Sequence, residues 1–293
     1  MAMLKKQKKK VNIYAIVCLV VLSVYVLLLL YMIFFGVITS LKGRLEFSDN
    51  RLGLPIAATT ENYLKVLQYY KVYSKTLDRV IYIDEMMAYS LLYAGGCAFM
   101  ETLSCMLVGY ATAKFNYKFN GVLTAFVITA MTLPIVGNLP SSLVIFRALN
   151  LYDNFLGVWF SKFYFISVYF MVFRATFKGI SPAYSEAAKI DGAGNLKVFL
   201  SIMIPLVKGT FATIFLLMFV VYWNDYGTPL LLLPSYPTVS LGLYYYRFRA
   251  SAKTQDTPSQ VAGCMAAFIP ILIIFVLFRN KLMGNISMGG LKE

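Results

Sequence analysis

Long apolar runs separated by polar stretches set the pattern of this chain, and each run has a length comparable to the thickness of a bilayer. Residues 13–38 form an apolar run of 26 positions. As a helix it reaches about 39 Å at roughly 1.5 Å per residue, enough to cross a membrane with tilt. Further runs predict spans over Met86–Ala113, Val122–Arg147, Leu156–Phe177, Leu206–Leu233 and Val261–Phe278, giving six in all. The first run is longer than the roughly 7–15 residues of a signal-peptide core and has no small-residue cleavage site after it, so it reads as a retained span.

The polar stretches assign sides. Lys5, Lys6, Lys8, Lys9 and Lys10 precede the first run and hold its start in the cytoplasm. Residues 39–85 then form a near-neutral external segment, whose best local helix is Asn62–Leu77. That segment is a plain connection or a surface facing a binding protein or polysaccharide. Residues 114–121 make a short basic inner loop, 149–155 an outer turn, and 178–205 a polar inner island. Residues 233–260 are external and carry Tyr244, Tyr245, Tyr246, Arg247 and Arg249. Both termini fall inside.

Some residues inside the runs are out of character for lipid. Gly95, Gly96, Ala98, Ser104 and Gly109 are small and let neighbouring helices approach closely. Glu101, near mid-span, lines a water-filled pathway or bonds a neighbouring helix. Pro134, Gly137 and Pro140 predict a bent or broken third span, tolerated where freed backbone groups are buried or line a cavity. Trp159, Tyr164 and Tyr169 are interface or pathway aromatics. Trp223, Asn224 and Asp225 form a second polar group, read either as pathway residues or as a packed local break.

Composition agrees with a polytopic membrane protein: 59% of the 293 residues are hydrophobic and only 14% are charged, against roughly a quarter charged in soluble domains. The formal charge of +14 matches basic loops beside spans, and no nucleic-acid partner is inferred. Cys18, Cys97, Cys105 and Cys264 all lie in apolar runs and indicate neither disulfides nor a metal site. With no histidine, Ser-His-Asp catalysis and His-based metal ligation are excluded. No Gly-x-x-x-x-Gly-Lys-Ser/Thr segment is present, so the chain has no phosphate-binding loop of that kind.

The inner island has its own logic. Ser181 and Pro182 suit a helix start, and Gly192 and Gly194 suit a sharp turn. Leu196, Phe199, Leu200, Met203 and Ile204 fall on one apolar helix face, and Pro205 ends or kinks that helix. Taken by composition, this is a solvated loop of ordinary helix formers. Glu186-Ala187-Ala188, Asp191-Gly192-Ala193 and Pro205, at these spacings, resemble the EAA loop of ATP-binding-cassette importer permeases, and most of all the MalG-like carbohydrate-uptake branch. The Trp223-Asn224-Asp225-Tyr226 element and the Gly289-Gly290-Leu291-Lys292 ending are also similar to that branch. Lys208-Gly209 stands where many members have a proline, and the outer segment before residue 86 is idiosyncratic.

The resemblance, which covers roughly residues 86–293, implies an all-α polytopic membrane protein of six transmembrane helices with the type I importer permease fold. It implies three regions: 1–85 with the basic N-terminus, first helix and external segment; an 86–283 transmembrane core; and a 284–293 cytoplasmic tail. It further implies import of a carbohydrate, an oligosaccharide in our reading, across a bacterial plasma membrane. The partners would be a MalF-like second permease in a heterodimer, two copies of an ABC ATPase, an extracellular solute-binding protein and membrane lipids. ATP and Mg would be bound by the ATPase, with no cofactor and no catalysis in this chain. Glu186 would anchor the coupling interface, Ala187, Ala188 and Ala193 would pack closely, Asp191 would add fixed charge, and Gly192 would make the turn. The readings from other classes are an ion-coupled secondary transporter or channel and a membrane-embedded enzyme. Glu101 and Asp225 are too few for the first, and no acid, base or metal set is clustered for the second.

Overall fold

The computed structural model describes residues 13–115, 117–133, 138–248 and 254–286. The N-terminal lysines, Pro134, Gly137, Arg249 and the Gly289–Lys292 ending lie outside the described residues. In chain order the elements are α1 (Ile13–Ser40), α2 (Arg44–Asp49), α3 (Glu61–Tyr69), β1 (Lys71–Ser74), β2 (Arg79–Tyr82), α4 (Ile83–Lys114), α5 (Asn120–Thr132) and α6 (Asn138–Ala148). They continue with α7 (Phe155–Ser161), α8 (Val168–Gly179), α9 (Ala183–Ile190), α10 (Asn195–Val198), a π-helical turn (Phe199–Met203), α11 (Ile204–Trp223), α12 (Gly227–Leu232), α13 (Val239–Phe248) and α14 (Thr257–Ile286).

Among the described residues, four helices are long and apolar enough to cross a membrane: Ile13–Ser40, Ile83–Lys114, Asn195–Trp223 and Thr257–Phe278. These match predicted spans one, two and six; span five, expected over Leu206–Leu233, runs instead from Asn195 to Trp223 and is followed, after a break at 224–226, by the short α12. Span three is represented by α5 and α6, with Thr132 ending the first and Asn138 opening the second. Span four, expected as one run, is two helices joined by an unwound segment at 162–167. Asn154 caps the start of the first helix and Ser167 that of the second, each side chain accepting a backbone N–H, from Leu156 and Tyr169, so that Ser167 restarts the helix after the unwound segment.

Two compact units are present, residues 1–66 with 251–266 and residues 67–250 with 267–293. In the first, α1 is apolar all round and exposed from Ile13 through Phe34, a surface suited to lipid rather than water. Its end is fixed by a polar knot. The Asn62 amide donates to Ser40 O at 2.9 Å and Lys42 O at 2.8 Å, while Ser259 Oγ donates to its oxygen at 3.1 Å. Lys42 is fully buried and donates to Asn50 O at 2.7 Å and Arg51 O at 3.2 Å.

The second unit is centred on α4, α8 and α11, whose inward faces supply most of the core: Cys97, Cys105, Phe170, Phe173, Phe177, Met218 and Phe219. Small residues permit the close approach. A side chain at Gly109 would strike Phe173 Cβ at 2.7 Å and the Arg174 backbone nitrogen at 3.1 Å, and one at Gly96 would collide with the Trp159 indole. Ala98 and Ser104 are buried as expected. Gly95 is not at a contact: a Cβ there meets nothing within 4 Å.

The expected helix Asn62–Leu77 stops at Tyr69. Beyond it, β1 and β2 pair antiparallel with Val72 opposite Ile81, and Asp78 turns the chain at φ +48°. The Tyr73 phenol bonds Asp78, which holds its pKa above the usual tyrosine value. Val72 and Ser74 are buried while Lys71 and Tyr73 are exposed, the period-2 pattern of a strand half covered on one face. Tyr70 closes the region, donating to Val239 O at 2.6 Å and stacking on Tyr246.

Candidate functional sites

The 178–205 island is built as a helix, a turn and a second helix. Ser181 Oγ accepts the Ala183 N–H at 3.3 Å, and α9 follows from Ala183. At the far end the Gly192 N–H bonds Lys189 O at 3.0 Å and the Ala193 N–H bonds Ala188 O at 2.9 Å. That pair of bonds is a Schellman closure, and it places Gly192 at φ +82°, a conformation natural to glycine and costly for side chains with a Cβ. Ala188 and Ala193 pack against the core edge, while Glu186, Ala187 and Asp191 are exposed.

The apolar face expected on the second helix is divided. Phe199 and Met203 are buried with Val198, but Leu196 and Leu200 are 70% and 52% exposed. Nor does Pro205 end the helix. The structure continues from Asn195 to Trp223 because the π turn absorbs the proline: the Ile204 N–H reaches back five residues to Phe199 O, the local rewinding that relieves a ring with no N–H of its own. Two exposed apolar residues escaped the sequence reading. Ile190 is 86% exposed and Tyr184 55%, so α9 and the start of the second helix together present Tyr184, Ile190, Leu196 and Leu200 outward. Periodicity sets Leu196 and Leu200 on one face with Phe199, so only the fold shows that they stay uncovered. The island is held to the transmembrane bundle by Lys114, the last residue of α4, whose ammonium donates to Ile180 O at 2.7 Å.

The second site is a polar track inside the bundle. Glu101 is only 4% exposed, and the Tyr222 hydroxyl donates to its carboxylate at 2.5 Å. Tyr93 meets the Tyr222 ring edge-on at 6.2 Å and donates to Asp225 at 2.6 Å. Asp225 also accepts the Thr228 N–H at 3.1 Å, capping α12, and its carbonyl accepts Ser240 Oγ at 2.8 Å. Trp223 is 2% exposed and donates to Ala267 O at 3.3 Å, whereas Asn224 is exposed and bonds Val220 O of its own helix at 2.8 Å. Glu101 and Asp225 bond neighbouring helices and Asn224 faces outward at a helix break, which is the reading of these residues as packing and a local break. Lys162, missed from sequence, lies in the unwound segment with its ammonium 5.2 Å from the Tyr222 ring centre. It is a lone cation in the apolar run 156–177 before Arg174, and that position was its signal.

Among the described residues no group of three or more His, Cys, Asp or Glu is placed to hold a metal.

Residues 106–286 match the family described as the binding-protein-dependent transport system inner membrane component. The chain belongs to that family. Membership makes it a multi-pass membrane subunit of ATP-binding-cassette importers, a class that works in general with a partner permease, an ATPase and a solute-binding protein. This permease is 24% identical over 87% of its length to the probable starch degradation products transport system permease protein AmyC of Thermoanaerobacterium thermosulfurigenes, of which it covers 89%. It is 27% identical over 80% of its length to the glucose import system permease protein GlcU of Saccharolobus solfataricus, of which it covers 80%. Against the sn-glycerol-3-phosphate transport system permease protein UgpE of Yersinia pestis identity is 27% over 59% of this chain, which spans 62% of that protein. In fold it matches a chain of a bacterial ABC transporter involved in the import of the acidic polysaccharide alginate, with a TM-score of 0.72 at 22% identity, covering 96% of this chain and 99% of the other.

Proposed function

We propose that this permease is one of two membrane subunits of an ATP-driven importer that carries a carbohydrate, an oligosaccharide by preference, across a bacterial plasma membrane by alternating access. Supporting this reading are the AmyC and GlcU relatives, whose names specify starch degradation products and glucose. A MalF-like permease would complete a heterodimer, two ATPase copies would bind ATP and Mg, and an extracellular protein would deliver the sugar. The topology would be six spans, the third and fourth each broken, with both termini and the 178–205 island in the cytoplasm. Family membership favours this over an ion-coupled transporter.

The observation that carries the coupling role is the exposed apolar surface of Tyr184, Ile190, Leu196 and Leu200 around the Gly192 turn. A short rigid helix with unpartnered apolar residues on a polar loop suits insertion into a cleft of another protein. In this mechanism Glu186 and Asp191 steer docking, Ala187 allows close approach, and Ala188 and Ala193 lock the turn onto the bundle. Pro205 fixes the π turn through which movement of the island reaches α11. That helix carries Tyr222, Trp223 and Asn224 and leads to Asp225, so rotation of α11 would remake the contacts to Glu101 along the pathway. ATP-dependent closure of the ATPase dimer would thus be transmitted to the substrate track.

The test is uptake into proteoliposomes holding the full importer. Gly192→Val is expected to insert and assemble but to hydrolyse ATP without accumulating sugar. Wild-type accumulation by that variant would remove the coupling role.

A further inference from the structure

Tyr226 and Tyr244 lie face to face at the break between α11 and α12, ring centres 5.0 Å apart and planes within 11°. Phe248 flanks the pair, its ring centre 5.0 Å from Tyr244 and its plane tilted by 45°. Tyr226 is 46% exposed and Phe248 69%, so both ends of this aromatic strip are open. Its base is held firmly. Ser240 bonds Asp225 O, the Val239 N–H bonds Ser90 Oγ at 2.7 Å, and Tyr246 is buried against Tyr70. Asn224 stands in the same break, its amide nitrogen committed to Val220 and its oxygen accepting no hydrogen bond among the described residues.

Resting on the carbohydrate reading, we propose that Tyr226, Tyr244 and Phe248 form a stacking platform for a sugar ring, with Asn224 and the two phenol hydroxyls as its polar rim. A cyclic sugar has a face of C–H groups and an edge of hydroxyls, and the platform offers the complement of each. Aromatic side chains supply large contact area with little rotamer entropy to lose, and here α13, which carries Tyr244 and Phe248, is anchored through Val239 and Ser240. An interface belt also exposes tyrosine; here three rings form one strip with an outward-facing amide in the same break. The strip also connects inward, since Asp225, next to Tyr226, bonds Tyr93, which abuts Tyr222 on Glu101. The platform selects for ring-bearing sugars over an acyclic polyol phosphate, which has no C–H face to stack.

Import by the full complex is measured with labelled maltotriose, arabinotriose, glucose and glycerol 3-phosphate. The expected result is import of at least one cyclic sugar. Tyr226→Ala, Tyr244→Ala and Tyr226→Leu should each raise KM for it about two- to tenfold, the range expected for one aromatic contact, while Tyr226→Phe and Tyr244→Phe, which keep the ring face and lose one rim hydroxyl each, should raise KM less than the matching alanine variants. Leucine keeps apolar bulk without a ring face, and recovery of each variant with its ATPase after detergent extraction verifies assembly. Cyclic-sugar import with unchanged KM in the alanine and leucine variants overturns the platform and leaves the carbohydrate reading standing. Import of glycerol 3-phosphate alone, or of none of the four, overturns both.

Discussion

Tyr222 donates its phenolic hydrogen to Glu101 across 2.5 Å, joining α11 to α4 inside the bundle. This bond shares with the Tyr164 phenol the task of satisfying a glutamate buried in a low-dielectric interior, where a lost partner costs about 1–3 kcal/mol. Tyr222→Phe should therefore lower the melting temperature of the purified protein. Glu101→Leu with Tyr222→Phe should recover part of that loss, because both polar partners go together. Equal losses for the single and double variants would show that the bond contributes little.

Helix contact at Gly96 and Gly109 yields a graded expectation. Gly109→Leu drives a side chain into the α8 backbone and should abolish a monodisperse detergent-extracted product, as should Gly96→Leu against Trp159. Gly95→Ala meets open space and should be neutral or slightly stabilising, since alanine is favoured over glycine in a helix by about 1 kcal/mol. Size-exclusion profiles separate these outcomes; a collapsed profile for Gly95→Ala would contradict the packing described.

Lys42 closes the loop after α1 with two carbonyl bonds while fully buried. Lys42→Met retains the stem but orphans both acceptors, so residues 43–60 should exchange amide hydrogens faster and be nicked sooner by protease, with α4 and α11 unaffected. Unchanged protection in that loop would refute the role.

Gly192 makes a separable prediction about stability. At φ +82° a side chain costs about 1–2 kcal/mol, with open space around it, so Gly192→Ala should loosen the α9 turn without global unfolding. Hydrogen exchange should quicken at Gly192 and Ala193, whose N–H groups close the turn. Protection there equal to wild type would argue against the strain.

Much of this architecture was legible because bilayer crossing demands long apolar runs. Ile83–Lys114 and the turn at Gly192 follow from run length and from glycine's access to positive φ. What stayed hidden depends on distant partners. Lys162–Ser167 contains no proline or glycine, and its unwinding shows only in the cap at Ser167. The hairpin was masked because Asn62–Leu77 also suits a helix, and only the burial of Val72 and Ile81 selects strands. Tyr222 and Tyr93 look like ordinary apolar-run aromatics until the fold brings them to Glu101 and Asp225. The exposure of Ile190 and Leu196 is likewise a tertiary fact, since periodicity could not say which apolar residues the bundle leaves uncovered.

The central claim is that the exposed surface around Gly192 docks on a separate ATPase. Affinity purification of the tagged chain in mild detergent tests it most directly. The account predicts recovery of an ABC ATPase, a second permease and a solute-binding protein with the wild type, and selective loss of the ATPase, with the second permease retained, for Ile190→Asp. Elution of the wild-type chain alone, or an ATPase bound equally by both proteins, would contradict it.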